Sequence, residues 1–336
     1  MKNIIKFLLF IILFELSFSK ILFANEKSAS VFVYHRFGEN SYPSTNIKMN
    51  QFKKHIKELT ENNYNIIPLN ELVDSLINKK DLPEKTIALT ADDAFLSIYK
   101  NAWPIIKEKK IPFTIFVSTG PVDTKSKNYM NWQHIIEMVN NGLVTIGNHT
   151  KNHLHLVNHD YEKTVNEIEE ANKSFLKNLG FEPEIFAYPY GEFKNENKEI
   201  AKKYFKAAFG QQSGTIFDGI DMYNLPRFSL NEQYGDIKRF KFAANSYGLK
   251  IKDIIPNNRI INKNNPPLLG FTLIDNIESD IKCYPSHNIK ADINKLGKNR
   301  IEVRFNNIFP KGRTRINCTT NDKGKWRWYG FQFFNP

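Results

Sequence analysis

Two adjacent carboxylates follow an apolar run in this sequence, where Thr90-Ala91 is followed by Asp92-Asp93. Neighbouring residues that leave a β-strand point in different directions, so one carboxylate can bind a cation while the other faces a substrate as a general base. An isolated pair of this kind more often caps the helix that follows. A catalytic interpretation therefore needs a second group of reactive side chains.

A pair of histidines supplies that second group, because His149 and His153 follow another apolar run at residues 144–146. Two imidazoles four residues apart can converge on one ion if the segment makes a helical turn. Imidazole nitrogen and carboxylate oxygen, with positions left open for water, are the ligands of a catalytic Zn²⁺ site. His155 and His159 continue beyond this spacing and are expected to be bystanders, and His55 lies in a predicted helix and is expected at the surface.

A third segment with possible chemistry is Tyr188-Pro189-Tyr190-Gly191. Proline stiffens the chain and glycine releases it, so a backbone N–H could be directed into a site at this point. On its own, the tripeptide Pro189-Tyr190-Gly191 is most often only a turn.

The elements that would position these residues alternate between short apolar runs and amphipathic stretches, which is typical of βα units in a parallel sheet. Strands are predicted at residues 31–34, 86–89, 114–117, 144–146, 185–188 and 207–209. Helices are predicted between them at residues 52–59, 72–77, 98–107, 132–139, 161–179 and 196–204. A parallel sheet of this size either stays open or closes into a barrel, and in both cases the site gathers at the carboxyl ends of the strands.

Composition excludes several classes of protein. The chain has 336 residues, of which 41% are hydrophobic and 24% charged, and its mean hydropathy is −0.46, which excludes a membrane protein with many spans. The net charge of +12 favours anionic surroundings. Lysine is spread along the whole chain without a basic block, so no nucleic-acid partner is expected.

The first 24 residues resemble a secretory signal, with Lys2 and Lys6 before an apolar run at residues 7–14 and a small residue at Ala24. Glu15 and Lys20 interrupt the run, so cleavage near Ala24 is predicted in preference to an uncleaved anchor. The protein is therefore expected to be exported to the periplasm or the extracellular space, with membrane contact only through this segment if it remains uncleaved.

The C-terminal part of the sequence lacks the alternating βα pattern of the preceding residues. Residues 249–268 are interpreted as a linker or loop, and residues 269–336 as a small β-rich accessory module. Cys283 and Cys318 are predicted to form a disulfide in an exported protein, the alternative being two buried thiols. The aromatic residues of 326–334 alternate between two faces of a strand. They are interpreted either as core or as an exposed row that stacks on a glycan.

Together, Thr90-Ala91-Asp92-Asp93, the 149–153 segment and Tyr188-Pro189-Tyr190-Gly191 resemble the NodB-type polysaccharide deacetylases of carbohydrate esterase family 4. The resemblance covers roughly residues 31–230, within a domain placed at residues 25–248. It implies a distorted (β/α) barrel with fewer than eight repeats, here followed by the all-β module. It also implies hydrolysis of N-acetyl groups on an amino-sugar polysaccharide or oligosaccharide.

The resemblance also implies roles for individual residues. Asp93, His149 and His153 match the ligands of one divalent metal, most readily Zn²⁺, with Co²⁺ or Ni²⁺ as alternatives. Asp92 matches the general base, and Tyr190 matches the residue whose backbone N–H binds the oxyanion.

Two functional groups of the family pattern are missing from their usual places. Ala187 stands where an arginine commonly steadies the base, and Arg227 is the candidate replacement, with a surface ion pair as the alternative. No late Leu-x-His strand is present to supply the general acid. His35, at the end of the first predicted strand, is the candidate acid, as in family members with a permuted order of strands.

Two other functions remain open from the sequence. One is an O-acetyl esterase or small-amide hydrolase built on the same barrel. The other is a catalytically silent, carbohydrate-binding relative, because Ala91, Ala94 and Ala187 replace family residues.

Overall fold

The computed structural model describes residue 26, residues 28–261 and residues 263–336. The predicted signal segment, residues 1–24, lies outside these described residues. Within them, no helix is both long and apolar enough to cross a membrane.

The described residues fold into a mixed α/β barrel followed by two β sheets. Strands are numbered in chain order: β1 Ser28–Tyr34, β2 Arg36–Phe37, β3 Asn46–Ile47, β4 Asn65–Ile66, β5 Thr86–Asp92, β6 Phe113–Val117, β7 Val144–Asn148, β8 Ile185–Ala187, β9 Ala207–Phe209, β10 Ile216–Phe217, β11 Phe228–Ser229, β12 Tyr247–Gly248, β13 Ile251–Ile255, β14 Leu269–Leu273, β15 Lys282–Pro285, β16 Ala291–Leu296, β17 Arg300–Phe305, β18 Gly312–Asp322 and β19 Lys325–Asn335. The α-helices are α1 Met49–Glu61, α2 Leu69–Ile77, α3 Trp103–Lys109, α4 Thr119–Asp123, α5 Trp132–Asn140, α6 Tyr161–Leu179, α7 Asn195–Tyr204 and α8 Ile237–Ala244.

The main sheet has the order β10-β1-β5-β6-β7-β8-β9, with β11 also paired to β1 and β4 to β5. Its strands from β1 to β9 run parallel, and β1, β5 and β6 are buried along their whole length. The chain at Leu225–Leu230 closes the barrel, because the Leu225 N–H donates to Ala208 and the Leu230 N–H donates to Val33. The predicted distorted barrel is confirmed. Its first strand, β1, lies at the closure, beside β11.

The helices of the barrel begin and end close to the predicted positions. Helix α6 begins at Asp160, whose side chain accepts from the Lys163 N–H, and ends at Gly180 in the left-handed conformation. A single π-helical turn at Ile98–Ala102 directly precedes α3. This turn and α3 together cover the predicted helix at residues 98–107. The predicted strands and helices of the barrel are confirmed within a few residues at each end.

Strand β13 corrects the prediction of a linker or loop at residues 249–268, because it lies inside that range and pairs with β14. It presents mostly exposed side chains and its register shifts between Lys252 and Ile255. The β sheets predicted after the barrel are confirmed, with orders β12-β19-β18-β15 and β13-β14-β17-β16. Cys283 and Cys318 face each other on β15 and β18 and form the predicted disulfide.

The core interpretation of the aromatic residues on β19 is confirmed for four of them, and the alternative of an exposed glycan-stacking row is wrong for those four. Trp326, at the start of the strand, is 42% exposed. Trp328, Tyr329, Phe331 and Phe333 are at most 9% exposed. Trp328 packs on Phe228 of the barrel, whereas the opposite face of the strand joins a cluster shared by the barrel and the C-terminal sheets. Because one hydrophobic core crosses the junction, the C-terminal sheets are not an independently tethered module.

His55 is fully buried, which corrects the expectation that it lies at the surface. Its ring stacks on Phe240 of α8 with centroids 4.2 Å apart. Its Nδ1 accepts from the Tyr34 hydroxyl at 3.1 Å, and its Nε2 donates to the Gly235 carbonyl at 2.9 Å. Both ring nitrogens are satisfied in the neutral form, and burial lowers the pKa of His55 to about 4.

We expect this histidine to make the free energy of unfolding depend on pH. A histidine whose pKa is lower in the folded than in the unfolded chain stabilises the fold above the unfolded pKa. That stability is lost as the pH falls towards the folded pKa. Between about pH 7 and pH 4 the loss from His55 amounts to roughly 3 kcal/mol. Denaturant unfolding of the wild type and of His55→Gln across this range measures it, because the variant should show a shallower pH dependence. Identical slopes for the two proteins would contradict the prediction.

Candidate active site

The carboxyl ends of the parallel strands bring the predicted reactive residues to one mouth of the barrel. Strand β5 carries Asp92 as its last residue, and Asp93 follows it with φ of +74°. His35 follows β1, the 149–153 segment follows β7 and the Tyr190 turn follows β8. The site predicted from three separate segments of the sequence therefore lies at one place in the fold.

Asp93, His149 and His153 form a group whose ligand atoms all lie within 4.8 Å of one another. The distance from Asp93 Oδ1 is 3.1 Å to His153 Nε2 and 3.5 Å to His149 Nε2. Asp93 Oδ1 and His149 Nε2 are buried and make no hydrogen bond within the described residues. Buried polar atoms without a partner cost free energy, and one cation would satisfy both, so this donor set fits a divalent metal.

The segment between the two histidines is a loop, which corrects the expectation of a helical turn. Thr150 and His153 both have positive φ, at +66° and +53°. Glu167 of α6, which sequence reasoning missed, holds this loop by accepting hydrogen bonds from the backbone N–H and the side-chain amide of Asn152, both at 2.8 Å. The histidines therefore converge through a loop fastened to a helix, not through helical periodicity.

The ring of His149 is fixed from behind. Its Nδ1 lies 2.7 Å from the Ala187 carbonyl, and donation to that oxygen leaves Nε2 facing the site as a ligand atom. Burial alone would lower the pKa of His149, but the carboxylates of Asp92 and Asp93 outweigh it and raise the pKa. For His153 burial outweighs the opposing effect of the Asp93 carboxylate and lowers the pKa to about 4.

Asp92 makes a two-point ion pair with Arg227, and both side chains are fully buried. Arg227 Nη1 donates to Asp92 Oδ1 at 2.7 Å and Nη2 donates to Oδ2 at 2.9 Å. Burial alone would raise the pKa of Asp92, but the charges of Arg227, His149 and His35 lower it below its usual range. The alternative that Arg227 forms a surface ion pair is wrong, and this arginine reaches the carboxylate from a different segment than Ala187.

His35 lies beside the same carboxylate, with its Nε2 3.9 Å from Asp92 Oδ2. Burial lowers the pKa of His35, while Asp92 and Asp93 oppose that effect. Gln211, a buried residue that sequence reasoning missed, lies between them, with its Nε2 3.3 Å from Asp92 Oδ2 and 3.4 Å from His35 Nε2. No local pattern marks Gln211, because it becomes a neighbour of His35 only when the barrel closes.

The predicted turn at Tyr188-Pro189-Tyr190-Gly191 places Tyr190 with φ of +60° and ψ of 1°. Its ring stacks on His155 with centroids 3.7 Å apart and also contacts His153. His155 is outside the group formed by Asp93, His149 and His153, the candidate metal-binding group, as expected, but it supports the Tyr190 ring.

A cavity of about 380 Å³ opens at this mouth. It is lined by His35, Asp93, His153, Tyr190 and Gln211 from the barrel, by the loop that contains Tyr234, and by two arginines of β18, Arg313 and Arg315. The cavity therefore joins Asp93 and His153, two of the three candidate metal ligands, to a surface that the C-terminal sheets help to build.

Comparison with known proteins relates residues 79–207 to a known family. Residues 79–207, which include Asp92, Asp93, His149 and His153, match the family model described as polysaccharide deacetylase. Residues 79–207 form a polysaccharide deacetylase domain. The chain is thus a hydrolase of the class that acts on carbon–nitrogen bonds other than peptide bonds, which confirms the resemblance drawn from the motifs.

Curated relatives of this chain carry related names. The poly-beta-1,6-N-acetyl-D-glucosamine N-deacetylase of Staphylococcus aureus is 24% identical over 213 residues, which cover 60% of this chain and 73% of the relative. A putative polysaccharide deacetylase of Bacillus subtilis is 25% identical over 202 residues, which cover 60% of this chain and 71% of that protein.

Solved structures of deacetylases share the fold. IcaB from Ammonifex degensii superposes with a TM-score of 0.60 and 25% identity, covering 66% of this chain and 98% of that one. The Streptococcus pyogenes deacetylase PplD superposes with a TM-score of 0.58 and 20% identity, covering 62% and 95%. About one third of this deacetylase chain therefore lies outside the match to IcaB.

Proposed function

We propose that this protein is a metal-dependent hydrolase that removes N-acetyl groups from a polymer of N-acetylglucosamine. The observation that carries the proposal is the group of Asp93, His149 and His153, with two buried and unpartnered ligand atoms, beside the buried carboxylate of Asp92. The substrate class is supported by the name of the S. aureus relative. Zn²⁺ suits two imidazoles and one carboxylate, and Co²⁺ or Ni²⁺ can take the same ligands.

Asp93, His149 and His153 would hold the metal. When bound, such an ion supplies Lewis-acid polarisation of the acetyl carbonyl and a more acidic water. The remaining steps are carried out by the side chains and backbone around the cavity.

Asp92 is proposed as the general base. Its lowered pKa keeps it ionised at neutral pH, and the pair with Arg227 fixes the carboxylate in one orientation. As water attacks the acetyl carbon, Asp92 accepts the proton of that water. The N–H of Tyr190 is proposed to donate to the oxyanion that develops on the acetyl oxygen.

His35 is proposed as the general acid that protonates the departing sugar nitrogen, because an amine leaves poorly without a proton. We expect His35→Ala to reduce turnover of an N-acetylated oligosaccharide by roughly 10²-fold. Hydrolysis of 4-nitrophenyl acetate should be much less affected, since its leaving group needs no proton. Metal content should be unchanged, because His35 is outside the metal-binding group. Equal losses on both substrates would show that His35 is not the general acid.

An acetate-release screen tests the proposed function. Poly-N-acetylglucosamine, chitooligosaccharides, peptidoglycan fragments and O-acetylated glycans are compared with Zn²⁺, Co²⁺ and Ni²⁺ supplied in turn. Release of acetate with a matching gain of free amine on the glycan supports N-deacetylation. Release from the O-acetylated glycan alone would favour the esterase alternative, and binding without any release would favour the silent carbohydrate-binding relative.

The organisation and location of the chain are part of the proposal. We propose a signal peptide at residues 1–24 and export to the periplasm or the extracellular space, where glycan polymers are found. The deacetylase barrel is proposed to span residues 25–248 and the accessory sheets residues 269–336, with the intervening segment partly built into those sheets through β13. No nucleic-acid partner is proposed.

A further inference from the structure

Strands β18 and β19 reach the active-site turn directly. Arg313 Nη1 donates to the Tyr190 carbonyl at 2.8 Å, and Gln332 Nε2 donates to the Gly191 carbonyl at 2.6 Å. The carboxamide of Gln332 is oriented for this contact because its Oε1 accepts from Arg315 Nε at 3.1 Å. Two consecutive carbonyls of the barrel turn are thus held by side chains more than 120 residues later in the chain.

The turn needs support of this kind because its backbone is strained. Tyr190 and Gly191 are both in the left-handed region, at φ of +60° and +68°. For a residue with a Cβ, that conformation costs about 1 kcal/mol. A side chain at Gly191 would collide with the backbone of Gln211, so the turn also has little room to adjust. Within the turn, the Gly191 N–H donates to the Tyr188 carbonyl.

A buried acid connects the two sides of the turn. Glu192, with 2% of its side chain exposed, pairs with Arg313 Nε at 3.3 Å and with His155 Nδ1 at 2.7 Å. His155 in turn stacks almost parallel on the Tyr190 ring. The carbonyl of Tyr190 and its ring are therefore fixed by residues that share one carboxylate.

The contact between the barrel and the sheets is close and extensive. A Cβ at Gly330 of β19 would collide with the carbonyl of Ser213, so the strand lies directly against the barrel backbone. The hydrophobic core continues across the same junction. The position of β18 and β19 relative to the turn is therefore set by packing, and their side chains can act as fixed supports.

We propose that Arg313 and Gln332 are positioning residues, through which the C-terminal sheets hold the Tyr190 turn in the geometry that directs its backbone N–H into the site. This inference rests on the proposed deacetylase function and on the oxyanion role of that N–H. It gives the C-terminal sheets a part in catalysis without making them a second catalytic centre or a glycan platform.

The test compares variants of the full-length, metal-loaded protein on an N-acetylated oligosaccharide. Arg313→Met keeps the length of the side chain and removes its donors, and Gln332→Leu removes the donor to Gly191. We expect each to lower kcat by about 10- to 100-fold, because loss or misplacement of an oxyanion donor has effects of this size. KM and the metal stoichiometry should change by less than about twofold, since neither residue is in the metal-binding group.

Two further variants and a control variant complete the comparison. Arg313→Lys retains a positive charge and one donor, so it should recover part of the lost kcat. The double variant should lose less than the product of the two single losses, because both residues hold the same turn. Arg304→Met is the matched control, since Arg304 lies on β17 of the same sheets and pairs with Glu302.

The outcomes separate the inference from the proposed function. A wild-type protein that releases no acetate from any N-acetylated glycan would refute the proposed function. An active wild type with Arg313→Met and Gln332→Leu indistinguishable from Arg304→Met would overturn the positioning role alone. A rise in KM with unchanged kcat would also overturn it and would make Arg313 a glycan contact. If Arg313→Met does not fold, Arg313→Lys and Gln332→Leu carry the same comparison.

Discussion

Replacement of His149 by alanine is expected to remove the metal and the activity together. His149 Nε2 is buried, makes no hydrogen bond within the described residues and lies 3.5 Å from Asp93 Oδ1. Loss of a partner behind a metal ligand typically costs 10- to 100-fold in affinity, so loss of the ligand itself should cost more than about 100-fold. Acetate release should fall by at least about 10³-fold, because both the carbonyl polarisation and the more acidic water depend on the bound ion.

The measurement that separates metal loss from misfolding is thermal unfolding with and without a chelator. An ion that binds only the folded state raises the apparent stability, so chelation should lower the Tm of the wild type and leave that of His149→Ala unchanged. His159→Ala is the control, since it removes an imidazole from a nearby segment of the same chain that is outside the group of Asp93, His149 and His153. Full retention of one metal per chain by a His149→Ala/His153→Ala double variant would refute the assignment.

The pKa directions add a pH dependence to metal uptake. In the metal-free protein the carboxylates of Asp92 and Asp93 raise the pKa of His149, so protons compete with the metal for Nε2. The affinity for Zn²⁺ should therefore fall as the pH is lowered. Because the pKa of His149 is raised, this fall should begin at a higher pH than it would for a histidine of ordinary pKa.

The sequence was sufficient for the parts of the site that local patterns encode. The apolar runs at β5 and β7 placed Asp92, Asp93 and His149 at strand ends, and the parallel βα pattern required those ends to share one edge. These inferences depend only on residues close together in the chain. The strand positions and the distorted barrel follow from the same local information.

The sequence was insufficient where proximity comes from packing between distant segments. Gln211 reaches His35 across 176 positions, and Arg313 reaches Tyr190 across 123. Neither contact produces a periodic pattern of residues in the sequence. The sequence of its own helix does not reveal that α8 covers His55. Most side chains of β13 are exposed, so no buried apolar run marks it as a strand.

Asp92→Asn is expected to leave the metal in place and to lower kcat by about 10²- to 10⁴-fold. An amide fills the same space as the carboxylate but cannot accept the proton of the attacking water, and general-base catalysis contributes on this order. Metal analysis of the purified variant and steady-state kinetics on an N-acetylated oligosaccharide measure the two quantities separately. Loss of the metal in parallel with the rate would instead make Asp92 a ligand.

Stability must be separated from chemistry in this variant, because Asp92 neutralises the buried guanidinium of Arg227. Removing one partner of a buried ion pair costs about 3–5 kcal/mol, since the other charge stays buried without compensation. Arg227→Gln breaks the same pair from the other side and should destabilise the fold by a similar amount, yet it leaves the base ionisable. Its kcat should therefore exceed that of Asp92→Asn.

The double variant Asp92→Asn/Arg227→Gln separates the effect of the ion pair on stability from the effect of the carboxylate on kcat. Its loss of stability should be smaller than the sum of the two single losses, because the second substitution removes the charge that the first left unpaired. Its kcat should remain as low as that of Asp92→Asn, because restoring stability does not restore a proton acceptor. A double variant that regained both stability and turnover would show that Asp92 acts only through the ion pair, and the base would then have to be sought elsewhere around the cavity.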